Sequence, residues 1–283
     1  MILHSLRIPA IALGVAWLCL VPTFAATVTE AQSKTLHALF EADWERQLRD
    51  EPMTASYVGD PRYNDSLPDR RPVAIAAQQA AVRTSLVALG RIDREDLSPA
   101  DQLNYDIYLA LLQDTAAGQR FRTELMPVDH QGGIHNFAVS ATQILRFATA
   151  KDYRDWIARL RAYGTLTDQT IALMREGLRT GWTPSQAILL RVPAQIAAQA
   201  GAKPEASSFY APFANMPDSI SAAEQNVLRK QARAAVAEVV LPALKRFQTF
   251  FNEEYFPGAR KSIAAGDLPD GKAYYEYLAR SYT

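Results

Sequence analysis

The stretch TAKDYRDWIARLRAYGTLTDQTIALMREGLRTG, residues 149–181, sets the class of this fold. Tyr153, Trp156, Ile157 and Leu160 recur at i, i+3, i+4 and i+7, the spacing of one helical face. A turn is expected near Gly164. Beyond it Leu166, Ile171, Met174 and Leu178 continue the helical pattern, and Gly181 closes the helix.

The same patterning fills the chain on both sides. Upstream, Leu36, Leu39, Phe40, Trp44 and Leu48 form one apolar stripe. A polar loop punctuated by Pro52, Pro61 and Pro68 separates it from the Ala-rich, helix-favouring run Val73 to Gly90. Ser98-Pro99-Ala100-Asp101 is a helix start, with Ser as N-cap, Pro in the first turn and an acid to complement the dipole. That helix runs to Gly118. Downstream, Thr183-Pro184 opens a helix expected to kink at Pro193, and Ser207 to Ser219 is expected to be loop. Ser221-Ala222-Ala223-Glu224 has the form of a capping box and opens a long helix, bent around Pro242 and running to about Glu254. No period-2 run marks a strand. The expected class is all-α, a multi-helix array.

The last stretch, Gly271 to Thr283, places Tyr274, Tyr277 and Leu278 on one stripe, and no Gly, Asn or Pro closes it. A helix this short is marginal alone. Its packing partner is expected beyond Thr283, leaving an apolar seam.

Residues 1–25 have the layout of an export signal. Arg7 supplies the positive region and Ile8 to Val21 the apolar run. Thr23-Phe24-Ala25 favours cleavage between Ala25 and Ala26. A spanning helix needs about 20 apolar residues, more than this Pro-bounded run supplies. The rest, 26–283, is expected as the mature helical chain, periplasmic or secreted. The single cysteine, Cys19, lies in the signal, and bulky Trp17-Leu18 before it do not suit a lipid-acceptor site. A mature chain without cysteine has neither disulfides nor a thiol nucleophile. Lys plus Arg and Asp plus Glu balance at 30 each. A neutral chain lacks the electrostatic footprint for nucleic acid or an anionic membrane, so a peptide or small molecule is the expected partner.

The chemistry-bearing residues are few. Met126 to His135 is a loop containing Asp129, His130, Gln131, Gly132 and Gly133. His130 and His135 lie five apart across two glycines, not at the helical i, i+4 spacing of paired metal ligands. The paired glycines mark backbone that turns sharply or approaches something closely. Asp129 to Gly133 is therefore the candidate substrate-facing segment, with Tyr274 and Tyr275 as candidate ligand contacts. Glu253 and Glu254 are adjacent on a helix and point about 100° apart, so they are not an acid–base pair. Nucleotide-cradling and serine-hydrolase motifs do not occur. No catalytic or metal-ligating residue is assigned.

The motif order resembles the bacterial domain-of-unknown-function 885 family. The resemblance rests on Asp101-Gln102-Leu103-Asn104-Tyr105-Asp106, Asp129-His130-Gln131-Gly132-Gly133 and Thr167-Asp168-Gln169. It continues through Met174-Arg175-Glu176-Gly177, Gly181-Trp182-Thr183-Pro184 and Val192-Pro193, and closes with Tyr255 to Arg260 and Leu268 to Tyr275. It implies one half of a large helical, metallopeptidase-like fold. Its zinc site would rest on a His-Glu pair and a Gly-His-His run that this sequence does not contain. On that reading the chain is the amino-terminal wall of a peptide cleft, with no cofactor of its own. The alternative from the residues alone is a free-standing periplasmic helical protein that binds a peptide or small ligand.

Overall fold

The structure, a computed structural model, describes residues 21–282. Most of the expected export segment lies outside them, and its cleavage site falls in the first turns of the first helix. Twelve helices follow one another: α1 Val21–Asp50, α2 Pro52–Tyr57, α3 Pro72–Leu89, α4 Pro99–Gly118, α5 Phe137–Ile144, α6 Ala150–Thr180, α7 Gln186–Leu189, α8 Val192–Ala200, α9 Ala222–Ala235, α10 Leu241–Phe250, α11 Phe256–Gly258 and α12 Gly271–Tyr282. Among the described residues the only β-pairing is an isolated parallel bridge between Ser185 and Arg260. The all-α reading holds.

Helix α6 is the axis. Thr149 and Asp152 close a reciprocal capping box at its start, and Gly181, at φ 80°, ends it in the left-handed conformation that glycine adopts without strain. The turn expected at Gly164 does not form. The helix runs through that residue, which lies against Val239. Tertiary packing there outweighs the weak helix propensity of glycine. On one side of α6, Tyr153, Trp156, Leu160, Tyr163 and Met174 join α8, α9 and α10 in the main core. The 207–219 segment, expected as plain loop, inserts Phe209 and Phe213 fully into that core, and Trp156 Nε1 donates to the Phe209 carbonyl at 2.9 Å.

Two other expectations change at prolines. Pro193 does not kink a helix but stands in the first turn of α8, where its missing N–H costs nothing; Ser185 caps the short α7 before it. Between Ala222 and Gly258 the chain stays helical past Pro242 and Pro257. A π-turn precedes each of them, at Val236–Val240 and Phe251–Tyr255, and the wider turn absorbs the lost backbone bond. Ser221 caps α9 by accepting from Glu224 N–H at 3.3 Å, while the Glu224 carboxylate pairs with Arg154 instead of completing a box.

A second core joins α1, α3 and α4 through Leu36, Leu89, Leu97, Tyr105 and Leu112. A third holds Phe121, Leu125, Leu173, Trp182 and Leu268. The stripe of α12 packs on this third core: Tyr274 and Tyr277 each lie 5.2 Å from the Phe121 ring, and Tyr274 meets Trp182 edge-on at 5.6 Å. The terminal helix thus has a partner within the chain, although both tyrosines remain half-buried.

Candidate functional site

The segment between α4 and α5 is folded against α6. Gly177 of α6 makes this possible, because a Cβ there would stand 2.6 Å from the Trp182 carbonyl oxygen and 2.9 Å from that of Leu125. With Leu125 seated so closely, the chain continues over α6, and Tyr163 donates its hydroxyl to the Ile134 carbonyl at 2.8 Å. One buried hydroxyl of the axial helix therefore fixes the far end of the loop.

Within the loop Asp129 organises the turn. Its Oδ1 accepts from the N–H groups of Gln131 at 2.7 Å and Gly132 at 2.8 Å, and its own N–H donates to the Gly132 carbonyl at 3.0 Å. Gly133 follows at φ 138°, a value that excludes a side chain, and a Cβ there would also press on Val128 and His135. His135 is 1% exposed. Gln195 of α8 staples the loop from outside: its Nε2 donates to the His130 carbonyl at 3.0 Å, and its Oε1 accepts from His135 Nε2 at 3.2 Å. That amide orientation puts the His135 proton on Nε2 and leaves Nδ1 a buried lone pair; among the described residues neither it nor the buried Nδ1 of His130 has a hydrogen-bond partner. Burial pushes the His135 imidazole below its ordinary value, against smaller opposing effects from Gln195 and Asp129.

Asp129 and the histidines therefore build the loop, and the loop builds a cleft. Gly133 and Ile134 form one lip of a cavity of about 380 Å³. Its other walls come from α3 (Ile75, Gln78), from α6 (Leu166, Thr170, Leu173) and from the start of α5 (Phe137). The α2 region closes it through Glu51, Met53, Pro68 and Arg70. Sequence reading missed these last residues because the Pro-punctuated segment carries no motif. What holds it is Arg159 of α6, which is fully buried and gives its guanidinium to the carbonyls of Ser66 (2.9 Å), Tyr63 (3.1 Å) and Pro52 (3.3 Å) and to Ser56 Oγ (2.9 Å). Among the described residues no carboxylate forms an ion pair with it, and burial lowers its pKa to about 10 against smaller opposing effects from Asp155 and Asp65. The cost of desolvating that charge is met by hydrogen bonds to loop carbonyls.

Tyr274 and Tyr275 do not reach the cleft. Tyr274 buttresses it from behind, through the cluster that also contains Ile75 and Leu173, whereas Tyr275 is 63% exposed on the opposite face of α12. The structure thus brings Gly133 to the cleft, leaves Asp129, His130 and Gln131 as its scaffold, and separates the tyrosines from it. Glu254 pairs with Arg175 at 2.7 Å, a surface ion pair away from this cavity. Among the described residues no group of three or more His, Cys, Asp or Glu side chains is placed to hold a metal ion. The zinc that the family resemblance implies finds no ligand set in them.

A roomier groove of about 650 Å³ lies between α1 and α4, with Phe40, Trp44, Tyr108, Ile107 and Leu111 along it. The carboxylate at its floor is internally satisfied. Asp43 accepts from Tyr108 and from Arg46 at 3.0 Å. Burial pushes the Asp43 carboxyl up, but hydrogen bonds from Ser85, Tyr108 and Arg46 together hold it below the ordinary carboxylate range. Ile107 and Leu111 stand more than half exposed beside it. The loop cleft, walled by five segments, is the better-formed site.

A family described as "Bacterial protein of unknown function (DUF885)" matches residues 52–283. Among curated proteins none matches the chain. A solved structure titled "the putative lipoprotein from Colwellia psychrerythraea" superposes with a TM-score of 0.72 at 17% sequence identity. The superposition covers 90% of this chain and 45% of that one, so the chain spans less than half the length of its structural neighbour. At that identity the likeness speaks for the fold. No helix among the described residues is long and apolar enough to cross a membrane.

Proposed function

The chain belongs to the bacterial domain-of-unknown-function 885 family, and on that premise we propose that it is the peptide-holding, cleft-forming portion of an exported metal-dependent peptidase. One observation carries the reading. The glycine-containing loop singled out in the sequence is built into the lip of an open, mostly apolar cleft between α3 and α6. An extended peptide suits such a cleft, because apolar walls supply affinity and a few fixed polar groups supply orientation. Metal-activated water and a general base would come from outside these residues. The role of this chain is to bind and align.

The packing of α12 on Phe121 and Trp182 supports a second reading, a free-standing periplasmic binding protein that uses the same cleft. Equilibrium dialysis of the mature chain against a mixture of unstructured decapeptides, with zinc present and with zinc chelated, tests both. Intact peptides retained in both conditions are the expected result. Absence of retention refutes the peptide-holding role. Cleavage that depends on zinc places catalytic machinery in this chain and refutes the division of labour.

A further inference from the structure

The ligand class of the cleft follows from its charges, an inference that rests on the reading above. Three charged side chains line it, and each is already committed. Arg70 grips Glu51 in a two-pronged pair at 2.6 and 2.8 Å, and Glu124 accepts from Arg122 Nε at 2.7 Å. With Arg122 included, the local charge sums to zero. A charged group entering the cleft would find no free counter-ion and would have to break one of these pairs or give up part of its hydration uncompensated, and both are unfavourable. Met53, Ile75, Ile134, Phe137, Leu166 and Leu173 form most of its apolar wall.

Thr170 is also committed, its hydroxyl donating to the Leu166 carbonyl at 2.8 Å. Gln78, one turn beyond Ile75 on α3, also lines the cavity, and among the described residues no hydrogen bond ties up its side-chain amide. Space is sufficient, since an apolar cavity of about 150 Å³ takes up benzene and this one measures about 380 Å³. We propose that the cleft is a subsite for one uncharged apolar side chain of a peptide, aromatic or branched aliphatic, with the adjacent peptide amide hydrogen-bonded by Gln78.

Four probes test this: the N-acetyl amides of phenylalanine, leucine, lysine and aspartate, titrated into the full chain while backbone amide resonances are followed. The phenylalanine and leucine probes are expected to shift Gly133, Leu166 and Leu173 and to bind roughly tenfold or more tightly than the charged probes. Arg70→Gln frees Glu51 and is expected to raise lysine-probe affinity several-fold while leaving the phenylalanine probe unchanged. Gln78→Ala, a mild change on a half-buried helix position, is expected to weaken the phenylalanine probe several-fold. Ile75→Trp is expected to fill the cleft and abolish its binding. Equal affinity for the charged probes overturns the apolar subsite and leaves the peptide-holding role standing. No shift with any probe, or shifts confined to Trp44, Ile107 and Leu111, overturns both.

Discussion

Two glycines of one helix make opposite demands, and replacing each with alanine separates them. In an open helix interior Gly→Ala stabilises by about 0.8–1 kcal/mol. At Gly164 the added methyl meets Val239 Cγ1 at 3.2 Å and Arg246 Nη2 at 4.0 Å, both side-chain atoms that can yield by a few tenths of an ångström. Gly164→Ala is therefore expected to change stability by between zero and about +1 kcal/mol. At Gly177 the methyl meets two carbonyl oxygens of the backbone, at 2.6 and 2.9 Å. Neither moves without displacing Trp182 or the Leu125 segment that leads into the cleft loop. Overpacking costs about 1–3 kcal/mol, and two rigid contacts put this site at the upper end, so a net loss of about 1–2 kcal/mol is expected. Urea unfolding followed by circular dichroism gives the midpoints, and about 2–4 °C of melting temperature per kcal/mol provides a second reading. A midpoint that rises for Gly177→Ala, or equal shifts for both variants, would refute the packing described for α6.

Arg159→Ala strips the buried loop carbonyls of Ser66, Tyr63 and Pro52 of their donor and is expected to cost about 3 kcal/mol or more; hydrogen exchange is expected to accelerate through residues 52–66 ahead of the α6 core. His135 is held neutral by burial, so the unfolded chain binds its proton more readily than the native one. Stability is expected to be complete above the ordinary imidazole value of 6.5 and to fall as pH drops through it. Unfolding measured between pH 7.5 and 5 checks this, and His135→Asn is expected to flatten the slope. Export is tested at the amino terminus: sequencing of the secreted product is expected to begin at Ala26, and retention of Met1 in a membrane fraction contradicts the signal reading.

Where the sequence carries its own local chemistry, the fold was legible. Ser98 and Ser221 cap their helices as read, Thr149 opens α6, and Gly181 ends it in the left-handed region. The errors arose where distant residues decide. Gly164 reads as a turn in isolation, yet the contact with Val239, 75 positions away, keeps it helical. Pro242 reads as a bend, yet a π-turn absorbs it. The candidate loop was visible through its paired glycines, but its scaffold was not. Gln195, which staples it, and Arg159, which anchors the opposite wall, sit on helices whose patterns announce only packing. Glu51 and Arg70 are 19 positions apart on an irregular segment, and neither has significance until the fold pairs them. Periodicity records which face of a helix is buried; it carries no information about which segments then meet.

Photo-crosslinking tests the central claim, that peptides are held between α3, α6 and the 127–137 segment. A decapeptide carrying one benzoylphenylalanine is bound to the mature chain, irradiated, digested and mapped by mass spectrometry. The account expects adducts on Ile75, Gln78, Gly133 to Phe137 and Leu173, suppressed by excess N-acetyl-phenylalanine amide. Adducts confined to Trp44, Ile107 and Leu111 in the α1–α4 groove would contradict it.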